Sequence, residues 1–204
     1  MKKNLILSLF QLFLIINVGV SNNITSLNRH NLKSHIMDHL TTTIIPKNND
    51  RPIYLNLSIA VRAFNNIDQI DGSITMNIWL RYEWYDPLIK WEPEKWSNVT
   101  SISLDTNPDM DSYIWTPDLF LYNTAEKPMD QLFYTKAKVH SNGRIFWSRP
   151  GLIKSTCTFD MTHYPFDQQI CYLKFGSWSY DSSEIYLDYD KKNGIDISNY
   201  HKHE

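Results

Sequence analysis

The sequence predicts an all-β fold, a sandwich or barrel, preceded by one N-terminal α-helix. Three observations carry this reading. Apolar and polar residues alternate with a period of two over 55–63 and 74–85, the mark of half-buried antiparallel strands. Turn signals recur roughly every ten residues, the spacing of a sandwich or barrel. Aromatic residues are abundant, with 7 Trp, 12 Tyr and 9 Phe among 204 residues. They favour strands and also build ligand-facing surfaces.

The elements follow in chain order. Lys2 and Lys3 precede an apolar run from Leu5 to Val20, and the small residues Gly19 and Ser21 close it. That pattern predicts a secretory signal peptide over 1–21. A membrane anchor is the alternative, but Ser8, Gln11 and Asn17 interrupt a run already short for a bilayer span. One domain, 22–204, remains. Leu32, Ile36 and Leu40 recur at i, i+4 and i+8 and predict a helix from Ser26 to Thr42, ended by Pro46 and Asn48-Asn49-Asp50. Leu55, Leu57, Ile59, Val61 and Ala63 predict a strand, and Asp71-Gly72 a turn. Ile74, Met76, Ile78, Leu80, Tyr82 and Trp84 form the buried face of the next strand. Trp79 and Arg81 then share its polar face, where a large aromatic needs a reason. Ser97–Ser112 is polar and acidic and reads as a long loop. Leu132–Val139 and Arg144–Arg149 flank Ser141-Asn142-Gly143, a strong hairpin signal. Ile170–Phe175 and Ile185–Tyr189 read as two further strands.

Composition excludes several classes of function. Lys plus Arg is 20 against 22 Asp plus Glu, so no basic excess invites nucleic acid. With only 6 glycines, the sequence contains no glycine-rich phosphate loop. No GxSxG, HExxH or CxxC motif occurs, and no nucleophile accompanies Asp160, His163 and Asp167, so the chain reads as a non-enzyme. No cofactor or metal is expected either. Asp105, Asp109 and Asp111 lack EF-hand spacing and its closing Glu, and read as a solvated loop. His201-Lys202-His203-Glu204 reads as a polar tail. The two cysteines, Cys157 and Cys171, are an even count in a secreted chain and are expected to pair. Sequons at Asn23, Asn56 and Asn98 mark candidate glycosylation sites.

Between the cysteines lies Cys157-Thr-Phe-Asp-Met-Thr-His-Tyr-Pro-Phe-Asp-Gln-Gln-Ile-Cys171. Thirteen intervening residues with Tyr164, Pro165, Phe166 and Asp167 at the centre resemble the signature of the Cys-loop, or pentameric ligand-gated ion channel, family. Other blocks agree and fall in the family's order. Asn77-Ile78-Trp79-Leu80-Arg81 with Glu83-Trp84 resembles its second strand. Trp115-Thr-Pro-Asp118-Leu-Phe-Leu-Tyr122-Asn123 resembles binding loop A, and Phe175-Gly-Ser-Trp178-Ser-Tyr180 resembles loop B in its nicotinic form.

The resemblance implies an immunoglobulin-like antiparallel β-sandwich with one N-terminal α-helix, five copies in a ring, and ligand sites between neighbours. It implies that Tyr122 and Trp178 form the principal side of such a site. Trp79 and Arg81 would form the complementary side, with Lys138, Phe146 and Ser148 at the loop E positions. On the residues alone, Tyr122 and Trp178 would be read as core aromatics. The Tyr164–Asp167 tip would face the channel domain. The partners implied are a small acetylcholine-like amine or an amino acid, and related subunits in a homo- or heteropentamer. Loop C, the last strands and the membrane helices are expected beyond Glu204, so the membrane would be reached only through a region outside this chain. The location implied is the secretory pathway and the extracellular face of the plasma membrane. A soluble secreted binder resembling the acetylcholine-binding proteins is the alternative. Arg81 beside Trp79 admits two readings, recognition of a ligand carboxylate or pairing with an acidic neighbour.

Overall fold

The computed structural model describes residues 26–40, 42, 44–47, 51–110, 112–126, 132–189 and 194–200. The expected signal peptide, Asn23 and the His201–Glu204 tail lie outside them. Helix α1 spans 26–37. Leu32 and Ile36 are buried in the core, as the helical spacing predicts. The helix ends short of Thr42 because the backbone tightens. His39 and Leu40 donate to the carbonyls of Ile36 and Met37, three residues back, in place of helical bonds. Leu40 still packs on the core from this closing turn, which is why its spacing looked helical.

The strands are β1 (Ile53–Asp68), β2 (Ser73–Tyr85), β3 (Ser101–Leu104), β4 (Leu119–Leu121), β5 (Ala137–His140), β6 (Arg144–Thr156), β7 (Phe175–Ser177), β8 (Ile185–Tyr189) and β9 (Ile195–Asp196). The large sheet runs β3-β5-β6-β2-β1-β8, with β9 also pairing β1. The small sheet is β4-β7. Pairing is antiparallel except for β8 and β9, which both run parallel to β1. The fold is therefore sandwich-like with one N-terminal helix. The β2 phase is borne out. Ile74, Met76, Ile78, Leu80, Tyr82 and Trp84 are all buried, while Trp79 on the opposite face is 39% exposed. Tyr82 stacks on Trp147 at 4.9 Å between centroids, and Trp84 meets Trp115 edge-on at 6.2 Å. Leu119 and Leu121 join the same cluster from the small sheet.

Strand β1 runs past Ala63 to Asp68, and four other strand boundaries also differ from the sequence expectation. The Ser97–Ser112 loop contains β3, a short edge strand whose Ile102 and Leu104 are buried against the fold. Two apolar residues are too few for periodicity to register. Within Leu132–Val139 the strand begins only at Ala137. The preceding backbone is held by an isolated bridge to β6, with the Phe133 amide donating to the Pro150 carbonyl at 2.9 Å, and by the buried Arg149 guanidinium, which donates to the Leu132 carbonyl at 2.6 Å. Strand β6 continues past Arg149 to Thr156 through Pro150 and Gly151, residue types that usually interrupt a strand. Finally, the expected strand over 170–175 is absent across 170–174, and β7 begins only at Phe175. Asn123 takes over the role of a strand ladder there, donating to the Tyr172 carbonyl at 2.8 Å and accepting from the Lys174 amide at 3.0 Å.

Candidate ligand-binding site

The small sheet builds the first half of the site. Opposed residues of an antiparallel pair share a face. Leu119 and Leu121 point to the core, so Phe120, opposite Gly176, points away from it. Two backbone bonds prolong the ladder on both sides. The Tyr122 amide donates to the Lys174 carbonyl at 2.8 Å, and the Trp178 amide to the Asp118 carbonyl at 3.4 Å. Tyr122, Phe120 and Trp178 thereby line one outer face. Trp178 is 73% exposed and Tyr122 55% exposed, so neither is a core aromatic. Phe120 meets Trp178 at 5.6 Å between centroids.

Three residues not singled out from the sequence position this face. A Cβ on Gly176 would lie 2.5 Å from Cε2 of Tyr122, so only glycine lets that ring cross the strand. The Tyr122 hydroxyl then donates to the Ser177 carbonyl at 2.5 Å. The Asp118 carboxylate holds the loop that carries Trp178. It accepts from Ser177 Oγ at 2.6 Å and from the Ser179 amide at 2.7 Å. Asn123 ties the end of β4 to β6, donating to Ser155 Oγ at 3.0 Å. Asp118, Phe120 and Asn123 lie in the loop A block and Gly176 in the loop B block, so block membership was the available signal. Asp118→Ala should cost about 1.5–3 kcal/mol, the worth of hydrogen bonds to a charged acceptor. Thermal denaturation of the variant measures it.

The second half lies on the outward face of the large sheet. Lys138 on β5 opposes Phe146 on β6. Phe146, Ser148 and Pro150 oppose Glu83, Arg81 and Trp79 on β2. The structure thus brings Trp79, Arg81, Lys138, Phe146 and Ser148 into one patch. Tyr122 and Trp178 flank the strands of the other sheet, so one chain presents two separate aromatic patches. Arg144 braces the patch through a two-pronged bond to Glu83, at 2.8 and 2.6 Å.

Arg81 is engaged within the chain. Its Nη1 donates to Asp196 Oδ2 on β9 at 3.0 Å, the acidic-neighbour arrangement. Hydrogen bonds from Ser198, and then from Arg81, hold the Asp196 carboxyl down at about 2. A carboxyl lowered on folding stabilises the fold above its ordinary value of about 4 and loses that contribution as pH falls toward 2. Acidification through this window should loosen β9 from β1. Faster exchange of the Ile59 amide, which donates to the Gly194 carbonyl at 2.8 Å, reports it.

Cys157 and Cys171 form a disulfide with their Cα atoms 5.2 Å apart. The loop they close includes a cis peptide between Tyr164 and Pro165. At its tip Tyr164 is 70% and Phe166 90% exposed. Asp167 behind them accepts from Gln169 Nε2. Among the sequons, Asn56 is exposed on β1 and Asn98 is exposed in a turn at φ 58°. Among the described residues no His, Cys, Asp or Glu cluster could hold a metal. Asp105 is instead paired with Lys33 at 3.3 Å and Lys136 at 3.5 Å.

Residues 29–204 match the family model described as the neurotransmitter-gated ion-channel ligand binding domain. The chain belongs to this family. Its relatives are receptor subunits rather than enzymes. It is 36% identical over 156 residues to the neuronal acetylcholine receptor subunit alpha-2 of Gallus gallus, covering 76% of this chain and 28% of that protein. It is 35% identical over 163 residues to the acetylcholine receptor subunit alpha-like 2 of Drosophila melanogaster, covering 76% and 27%. To the human neuronal acetylcholine receptor subunit alpha-4 it is 36% identical over 135 residues, covering 66% and 21%. The chain therefore spans about a quarter of the length of the curated relatives it matches. Among the described residues, no helix is long and apolar enough to cross a membrane.

Proposed function

We propose that this domain is the extracellular ligand-binding part of a nicotinic-like pentameric channel subunit. It binds a small amine neurotransmitter between neighbouring subunits and so gates ion flow. The observation that carries the reading is the pair of aromatic half-sites on separate sheets. Each is exposed, and each is only half of an enclosure. A ring of copies would set the Tyr122–Trp178 face of one subunit against the Trp79–Phe146 patch of the next. Ring faces attract a quaternary or protonated amine by about 0.5–2 kcal/mol each. Enclosure between subunits removes water and moves each contact toward the upper end of that range. The exposed Tyr164-Pro165-Phe166-Asp167 tip would meet the channel-forming region. Its two large rings suit a protein contact better than bulk water.

Competition of a labelled quaternary amine on pentamers containing this domain tests the ligand class. Choline-type ligands should displace the label, and zwitterionic amino acids should compete weakly. A preference for amino acids would overturn the amine reading.

A further inference from the structure

The row of residues that contains Trp79 extends to the edge of the large sheet and ends there on a third ring. Leu132 bridges Gly151 in the antiparallel sense, so the next residue, Phe133, falls opposite Pro150. The Phe133 amide donates to the Pro150 carbonyl at 2.9 Å. Pro150 in turn opposes Trp79 on β2. Leu132 is buried, so Phe133 beside it takes the outward face, and it is 70% exposed. Phe133, Pro150 and Trp79 thus form one outward row. Two strand spacings, about 10 Å, separate its ends.

Phe133 is held in place although its segment is not a strand. The buried Arg149 guanidinium donates to the carbonyls of Leu132 and Phe133, at 2.6 and 3.4 Å. Its Cζ atom also lies 4.8 Å from the centroid of the Tyr134 ring. Thr135 Oγ1 donates to the Ser148 carbonyl at 2.6 Å. Four consecutive residues are therefore tied to β6, and the ring of Phe133 is the part left to solvent. Between the two aromatic rings, Pro150 presents neither charge nor an N–H group. A chain laid across it from Trp79 to Phe133 meets apolar ring surface.

We infer that Phe133 is a further ligand-contacting residue of the Trp79 patch, one that favours amines carrying an apolar arm over bare ammonium ions. The inference rests on the proposed place of Trp79 in an amine site. The ammonium head stays among the aromatic rings around Trp79. The arm runs over Pro150 to Phe133, where apolar surface leaves water on both sides of the contact. Phe133 thereby sets which amines of the proposed class bind best.

Two probes separate the head from the arm on pentamers in which this domain supplies the Trp79 side. Tetramethylammonium has no arm, and hexyltrimethylammonium has one that reaches across Pro150. Phe133→Ala should weaken hexyltrimethylammonium about 3- to 15-fold, the worth of partly burying one such ring, and tetramethylammonium less than about 2-fold. Phe133→Leu keeps an apolar side chain and should lose less, and it replaces the alanine variant if that one assembles poorly. Trp79→Ala should weaken both probes. Equal losses for the two probes in the Phe133 variants would make the residue a prop of the assembly and overturn the inference. Unchanged binding of hexyltrimethylammonium in those variants, with Trp79→Ala weakening both probes, would also overturn it while leaving the Trp79 reading intact. If Trp79→Ala changes the binding of neither probe, the Trp79 reading itself fails and takes this inference with it.

Discussion

Trp178→Ala should weaken the binding of a quaternary ammonium ligand about 10- to 30-fold, the worth of one desolvated cation–π contact. The same change should barely move folding stability. Trp178 is 73% exposed and leans on Phe120 rather than on the core. Exposed positions away from special features usually shift stability within about 0.5 kcal/mol. That separation is the useful part. A core aromatic such as Trp84, fully buried in the same sandwich, would cost roughly 3–5 kcal/mol on truncation and abolish binding by unfolding. Ser148→Ala, at the rim of the other half-site, serves as the comparison and should change affinity less than threefold, the worth of roughly half a kcal/mol. Equal affinities for Trp178→Ala and Ser148→Ala in a competition assay would remove Trp178 from the site.

Replacing both Cys157 and Cys171 by serine should lower stability by about 3 kcal/mol, the chain-entropy value for a loop of roughly fifteen residues. For a domain of this length that corresponds to a drop of roughly 6–12 °C in Tm. The loss should not spread evenly. Asn123 grips both ends of this loop. Its backbone carbonyl accepts from the Thr156 amide at 2.9 Å, and its side chain reaches Tyr172 at 2.8 Å. The arms should therefore stay docked while the Tyr164–Asp167 tip loosens. Calorimetry gives the total, and hydrogen exchange over 158–170 shows where it falls. Full protection of the tip in the double variant would mean that local hydrogen bonds, and not the crosslink, shape it.

Much of the fold was legible because one physical rule dominates it. The β2 run alternates strictly, and every residue assigned to the core face is buried. The hairpin at Ser141-Asn142-Gly143 was legible because Gly143 adopts φ 89°, which glycine tolerates and other residues resist. Part of what escaped was structure held by side chains. Arg149 pins the segment before β5, and Asn123 pins the arm after Cys171. Neither leaves a periodic trace. Residues alone also placed Tyr122 and Trp178 wrongly in the core, because an aromatic beside apolar neighbours looks like packing. Their exposure follows from the strand phase of β4 and β7, which are three residues each and too short to show a phase in sequence. The resemblance to known loops supplied that assignment. Trp79 is the converse case, since the long β2 strand fixed its outward direction without help. On β1 the register slips at Arg62, since Val61 pairs with Ile78 and Ala63 with Asn77; that bulge was invisible, because a one-residue slip appears only once the partner strand is known.

The central claim is that the two aromatic half-sites of neighbouring subunits close around one ligand. A structure of the assembled pentamer with a bound quaternary amine tests it most directly. The ligand cation should lie within about 6 Å of the Trp178 ring of one subunit, with Trp79 of the next subunit on its other side. A ligand bound elsewhere, or an assembly in which Trp178 and Trp79 of neighbours face different spaces, would contradict it.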